Sequence, residues 1–155
     1  MGPMIYLAIF SNGPRSAHWA IFVPEAGNPQ NPQKGKLIHV TGNPVTGFFL
    51  QFKRNYDFTQ TRTAHEIIPL TEIDERLVSN PQSTNAPPTN DTTARDQLES
   101  VATVVNPPGR SPNPFDTAAP NCQTWIRWYV GELVRRDLVL EAANEVLDNA
   151  RQNFA

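Results

Sequence analysis

Between positions 122 and 134, Cys122, Trp125, Ile126, Tyr129, Val130, Leu133 and Val134 recur at intervals of three and four. That spacing lays one apolar stripe along a helix, and such a stripe has to be buried against another surface. Asn121 stands where an N-cap belongs, with Pro120 just before it, so the helix is predicted to begin at Cys122. The first half of the chain supplies the surface, because it reads as β. Met4–Phe10 is a short apolar run closed by the turn residues Ser11, Asn12, Gly13 and Pro14. Residues 17–24 alternate His18, Ala20 and Phe22 against Trp19, Ile21 and Val23. Residues 36–41 alternate Leu37, His39 and Thr41 against Ile38 and Val40. Further strands are predicted at 46–52, around 55–58 and at 64–70. Strands first and helices last predict an α+β fold, with an antiparallel sheet packed against the cysteine-bearing helix and a C-terminal helix.

The remaining expectations concern helices and loops. Thr71 is predicted to cap a short helix through Val78, residues 95–105 to form another, and 139–151 a last one with Leu140, Ala143, Val146 and Leu147 inward. The 15 prolines concentrate in polar stretches at 27–35, 79–93 and 106–120, which are expected to be loops, with 79–93 an exposed excursion. At 155 residues the chain is expected to form one domain over 1–155. A net charge of −2 and a pI near 5.9 give no electrostatic footprint for nucleic acid. No apolar run reaches the roughly 18–20 residues of a membrane helix. The N-terminus lacks the pattern of a secretory signal, so a cytoplasmic location is the default expectation. The composition gives no indication of oligomeric state.

A single cysteine excludes an intrachain disulfide and a zinc site built from cysteine pairs, and no metal or cofactor is expected. Such a thiol is either a small buried hydrophobe or a nucleophile. At the first position of a helix, unpaired amides and the dipole favour an anion, an environment that lowers a thiol pKa. A thiolate nucleophile needs a base to take and return a proton, and histidine suits that role. His18 and His39 lie on strands joined by one connection and alternate so that one register puts both on the same face. If the Cys122 helix packs on that face, a thiol and two imidazoles meet. His65, beside Glu66, reads as a surface strand residue.

The segments HWAIFVP, GKLIHV and NCQTWIRWYV, in that order, resemble the permuted NlpC-type branch of the papain-like thiol enzymes. The nearest likeness is to the lecithin:retinol acyltransferase-like proteins. The resemblance covers about half the chain, and Phe22 stands where that family usually has Tyr. It implies a permuted papain-like fold with Cys122 as nucleophile, His18 as base and His39 as the residue that orients the base. An oxyanion would then be held by the Cys122 amide and a second donor, for which Gln123 and Tyr6 are the candidates.

The expected function is that of a cysteine-dependent hydrolase or acyltransferase, working through an acyl-enzyme on a peptide, amide or other acyl substrate. The alternatives are a catalytically silent binding or effector module on the same fold, and a structural domain with an inert, buried Cys122.

Overall fold

A computed structural model of the chain describes residues 3–25, 34–79, 87–116 and 118–153. Among these residues six strands, β1 (Met4–Phe10), β2 (His18–Pro24), β3 (Lys34–Asn43), β4 (Gly47–Asp57), β5 (His65–Glu72) and β6 (Thr89–Asp91), form one sheet in the order β5-β1-β2-β3-β4-β6. Every neighbouring pair is antiparallel. Among the described residues three α-helices follow the six strands: α1 (Gln97–Thr103), α2 (Cys122–Arg135) and α3 (Ala142–Asn149). The fold is α+β, with α2 packed on β2 and β3, and α3 on α2 and β5. Among the described residues no helix is long and apolar enough to cross a membrane.

The strand alternation sorts the sheet into two faces. Trp19, Ile21, Val23, Ile38, Val40 and Phe52 join Trp125, Ile126, Tyr129, Val130 and Leu133 in the main core. The other face carries a smaller aromatic cluster of Ala8, Phe10, Ala20, Phe22, Leu37 and Phe58, with Phe58 stacked on Phe10 at 5.8 Å. His18 and His39 belong to this second face by alternation, and the His18 ring lies 6.0 Å from Phe10. The expectation that the body of the cysteine helix packs on the histidine face is therefore corrected. Both faces of β2 are apolar, and the wider Trp19/Ile21/Val23 face is the one that takes the long stripe of α2.

Local chemistry sets the ends of α2. Asn121 is extended (φ −143°, ψ −164°), its side chain accepts from the Gln123 and Thr124 amides, and Thr124 Oγ1 accepts from the Asn121 amide. This reciprocal capping fixes Cys122 as the first helical residue. At the other end Asp137 takes a left-handed φ of 58°, with its amide bonded to Val134 and the Leu138 amide to Leu133. That is the glycine-type helix stop made without glycine.

Several boundaries differ from expectation. Residues 71–72 continue β5, and the predicted helix from Thr71 is a single 3-10 turn at Glu75–Leu77 capped by Asp74. The strands predicted at 46–52 and 55–58 are one long β4, within which Asn55 takes a left-handed φ of 56°. The last helix is shorter than 139–151, and Leu140 precedes it and is exposed. The stretch 79–93 is not wholly an excursion. Its end forms edge strand β6, and Asp91 there pairs with buried Arg54, which also binds Glu99 of α1. Lys36 joins the same cluster through Asp96 and Glu99. Residues 80–86, and 27–33 of the predicted 27–35 loop, lie outside the described residues. The predicted loop at 106–120 is irregular and is tied to the β3–β4 hairpin by Phe48 N–H to Pro108 O and Ser111 N–H to Pro44 O, both 2.8 Å. Gly47 (φ 84°) permits this approach, since a Cβ there would come within 3.2 Å of Gly109 and Arg110 backbone atoms.

Candidate functional site

β2 is paired with β1 from its first residue, His18, but with β3 only from Ile21 onward. The start of β2 therefore diverges from β3. The two histidines bridge the divergence: His18 Nε2 lies 2.6 Å from His39 Nδ1, with the rings edge to face. His39 Nε2 lies 3.0 Å from Gln51 Oε1 on β4, its cross-strand partner.

The carbonyl oxygen at the end of this chain fixes the protons. Gln51 Oε1 only accepts, so His39 Nε2 carries a hydrogen and His39 Nδ1 accepts. His18 Nε2 then donates to His39, and His18 Nδ1 keeps a lone pair. Among the described residues that nitrogen has no hydrogen-bond partner. Burial first, and the charge of Lys53 second, lower the His18 pKa to about 4. His39 falls to about 3 through burial, then His18, with Lys53 adding to the fall and the Gln51 hydrogen bond opposing it. Both rings are neutral at pH 7.

Cys122 reaches the same region from the helix face. Its Sγ–H donates to the Ala17 carbonyl at 3.8 Å, and the Trp19 amide acts on the same sulfur. The thiol thus lies against the peptide groups on both sides of His18, although it shares no hydrogen bond with the His18 ring. It is only 8 % exposed. Burial raises its pKa above the ordinary 9.0, against the opposing amides of Trp19, Gln123 and Cys122. The resting pair is therefore thiol and imidazole, not thiolate and imidazolium. The Cys122 amide, at the first helical position, has no intrahelical acceptor.

Of the two candidate oxyanion donors, Gln123 lies beside the thiol on the same Ala17 carbonyl with its hydrogens already engaged, and Tyr6 lies apart. The Gln123 side-chain amide donates to Ala17 O at 2.9 Å and Gln152 O at 3.0 Å, so both its hydrogens hold the C-terminal segment against the start of β2. Ala17 N–H bonds the same Gln152 oxygen, which completes that clamp. Tyr6 pairs with Phe22, four residues along the strands from the Phe10–His18 pair, or about 13 Å away. Its ring lies with Phe22. His65 packs on Phe10 and Phe58 and donates from Nδ1 to Thr63 O, apart from the His18–His39 pair.

Gln51 is the member of this hydrogen-bonded chain that reading the sequence missed. The turn held by Asn43, whose Oδ1 accepts from the Val45 and Thr46 amides, pairs Asn43 with Gly47. Counting back along the two strands from that turn sets His39 opposite Gln51.

No protein of curated function and no solved structure matches the chain. One family model matches residues 5–140, a span that contains His18, His39, Gln51 and Cys122. By that match the chain belongs to a family of unknown function, DUF6540.

Proposed function

We propose that the chain is a cysteine-dependent acyl hydrolase or acyltransferase of permuted papain-like architecture, with Cys122 as nucleophile and His18 as general base. The observation that carries this reading is the polarised chain Gln51–His39–His18. It leaves an unprotonated Nδ1, without a hydrogen-bond partner among the described residues, on the residue whose flanking peptides hold the thiol. In the reaction Sγ–H leaves the Ala17 carbonyl and gives its proton to His18 Nδ1 as sulfur bonds the acyl carbon. The Cys122 amide faces the developing oxyanion. His18 passes the proton to the departing nitrogen or oxygen as that bond to carbon breaks, which leaves a thioester. Water, or an amine or alcohol acceptor, then attacks the thioester with its proton taken by His18, the carbon–sulfur bond breaks to release the acid, amide or ester, and His18 returns the proton to Cys122 Sγ. His39 and Gln51 fix the tautomer and orientation of the base.

One observation favours a second reading, a binding module without turnover: the thiol is buried and bonded to Ala17, not to His18. Release of p-nitrophenolate from p-nitrophenyl acetate, followed in the wild type, Cys122→Ser and His18→Ala, separates the two. The enzyme reading expects a burst that vanishes in Cys122→Ser and slows by about a hundredfold or more in His18→Ala. Equal release from all three proteins would leave the binding reading.

A further inference from the structure

On the histidine face of β4, one same-face step of about 7 Å beyond Gln51, stands Lys53. His39 faces Gln51 across the β3–β4 pair, and Leu37 faces Lys53. Lys53 is half-buried as a residue, its ammonium makes no ion pair among the described residues, and its aromatic neighbour is the Tyr56 ring at 6.0 Å. All 15 Asp and Glu residues of the chain are among those described, so no other side-chain carboxylate remains to neutralise it. The contrast with the buried cations of the other face is sharp, since Lys36 and Arg54 are both matched by carboxylates. A cation whose field reaches two neutral imidazoles, with no carboxylate beside it, favours an anion as its neighbour. Here its charge also opposes protonation of both rings, which works against a general base.

We propose that Lys53 is an anion-binding residue of the Cys122–His18 site, and that the substrate carries a carboxylate close to its scissile acyl bond. This rests on the thiol-enzyme reading for the word substrate, although the anion site itself needs no thiol. A carboxylate seated on Lys53 cancels the field that disfavours an imidazolium, so an acidic substrate strengthens the base that processes it. A neutral analogue meets the weaker base. A single ammonium without a guanidinium fork or helix amides suits one carboxylate better than a phosphate.

The test follows the ring signals of His18 and His39 by NMR at pH 7 in the full chain. N-acetylglycine, N-acetylglycinamide and inorganic phosphate are titrated separately. N-acetylglycine is expected to shift both rings saturably and the neutral amide is not. Lys53→Gln should weaken carboxylate binding by about tenfold or more, while Lys53→Arg retains it. Equal binding of acid and amide to the wild type, unmoved rings, or undiminished affinity in Lys53→Gln would overturn the proposal. Phosphate binding tenfold tighter than the carboxylate would overturn the assignment to a carboxylate. Cys122→Ser should bind N-acetylglycine as the wild type does. Lys53-dependent binding without any acyl-enzyme would sink the thiol reading and leave the anion site. Acylation that ignores charge and Lys53 would sink this proposal alone.

Discussion

Removing His18 should leave the pH profile of Cys122 alkylation almost unchanged in shape while it disables acylation, because the pair rests neutral. With His18 held at about 4 and the thiol above 9.0, the two pKa values are at least about five units apart. At that separation at most about one molecule in 10⁵ carries the thiolate–imidazolium pair. Iodoacetamide captures thiolate, so its rate should rise about tenfold per pH unit from pH 5 to beyond 9, with no acid-side plateau. Quenched alkylation of wild type and His18→Ala, read by intact mass from pH 5 to 10, measures this directly. A plateau below pH 7 that disappears in His18→Ala would show a standing ion pair and refute the reasoning.

The lowered histidine pKa values also predict how stability depends on pH. Below about 6.5 the unfolded chain protonates His18 and His39 while the folded chain does not, so stability falls as pH drops from 6.5 towards 4. The loss is at most about 2.7 kcal/mol per pH unit for two protons, and urea titrations of His39→Gln should show a shallower slope than the wild type. Gln51→Leu leaves the His39 Nε2–H without its acceptor, which costs about 1–3 kcal/mol and slows acylation by loosening the tautomer; Gln51→Glu should restore the stability more than Gln51→Leu does. Burial pushes the Glu99 carboxyl up, but hydrogen bonds from Arg54 and Lys36 outweigh it and hold the group ionised below its ordinary range. Glu99→Ala takes from Lys36 and Arg54 one of the two carboxylates each holds, and should therefore cost about 1.5–3 kcal/mol in chemical denaturation; a loss under 1 kcal/mol would contradict that role.

The parts of this architecture that were legible in the sequence are those set by local chemistry. Asn121 marks the start of α2 through its own hydrogen bonds, and the stripe from Cys122 to Val134 needs only a period of 3.6. The alternation of β2 likewise assigns His18 and Trp19 to opposite faces before any packing is known. What alternation leaves open is which face the helix takes, because Phe22 and Ala20 are as apolar as Ile21 and Val23. The stop of α2 was obscure since Asp137 does the work of a glycine. Strand β6 was hidden because Thr89, Asn90 and Asp91 carry no apolar pattern, and its place depends on an ion pair with Arg54, distant in sequence. Gln123 looked free for chemistry only because its backbone partners, Ala17 and Gln152, come from the two ends of the chain.

Single-turnover acylation at pH 7 with an activated acyl ester, mapped by peptide mass, bears most directly on the central claim. The account predicts one acyl group, on Cys122, formed about a hundredfold or more slowly in His18→Ala, although that variant still alkylates at pH 9.5. An acyl group on another residue, or on Cys122 at the same rate without His18, would contradict it.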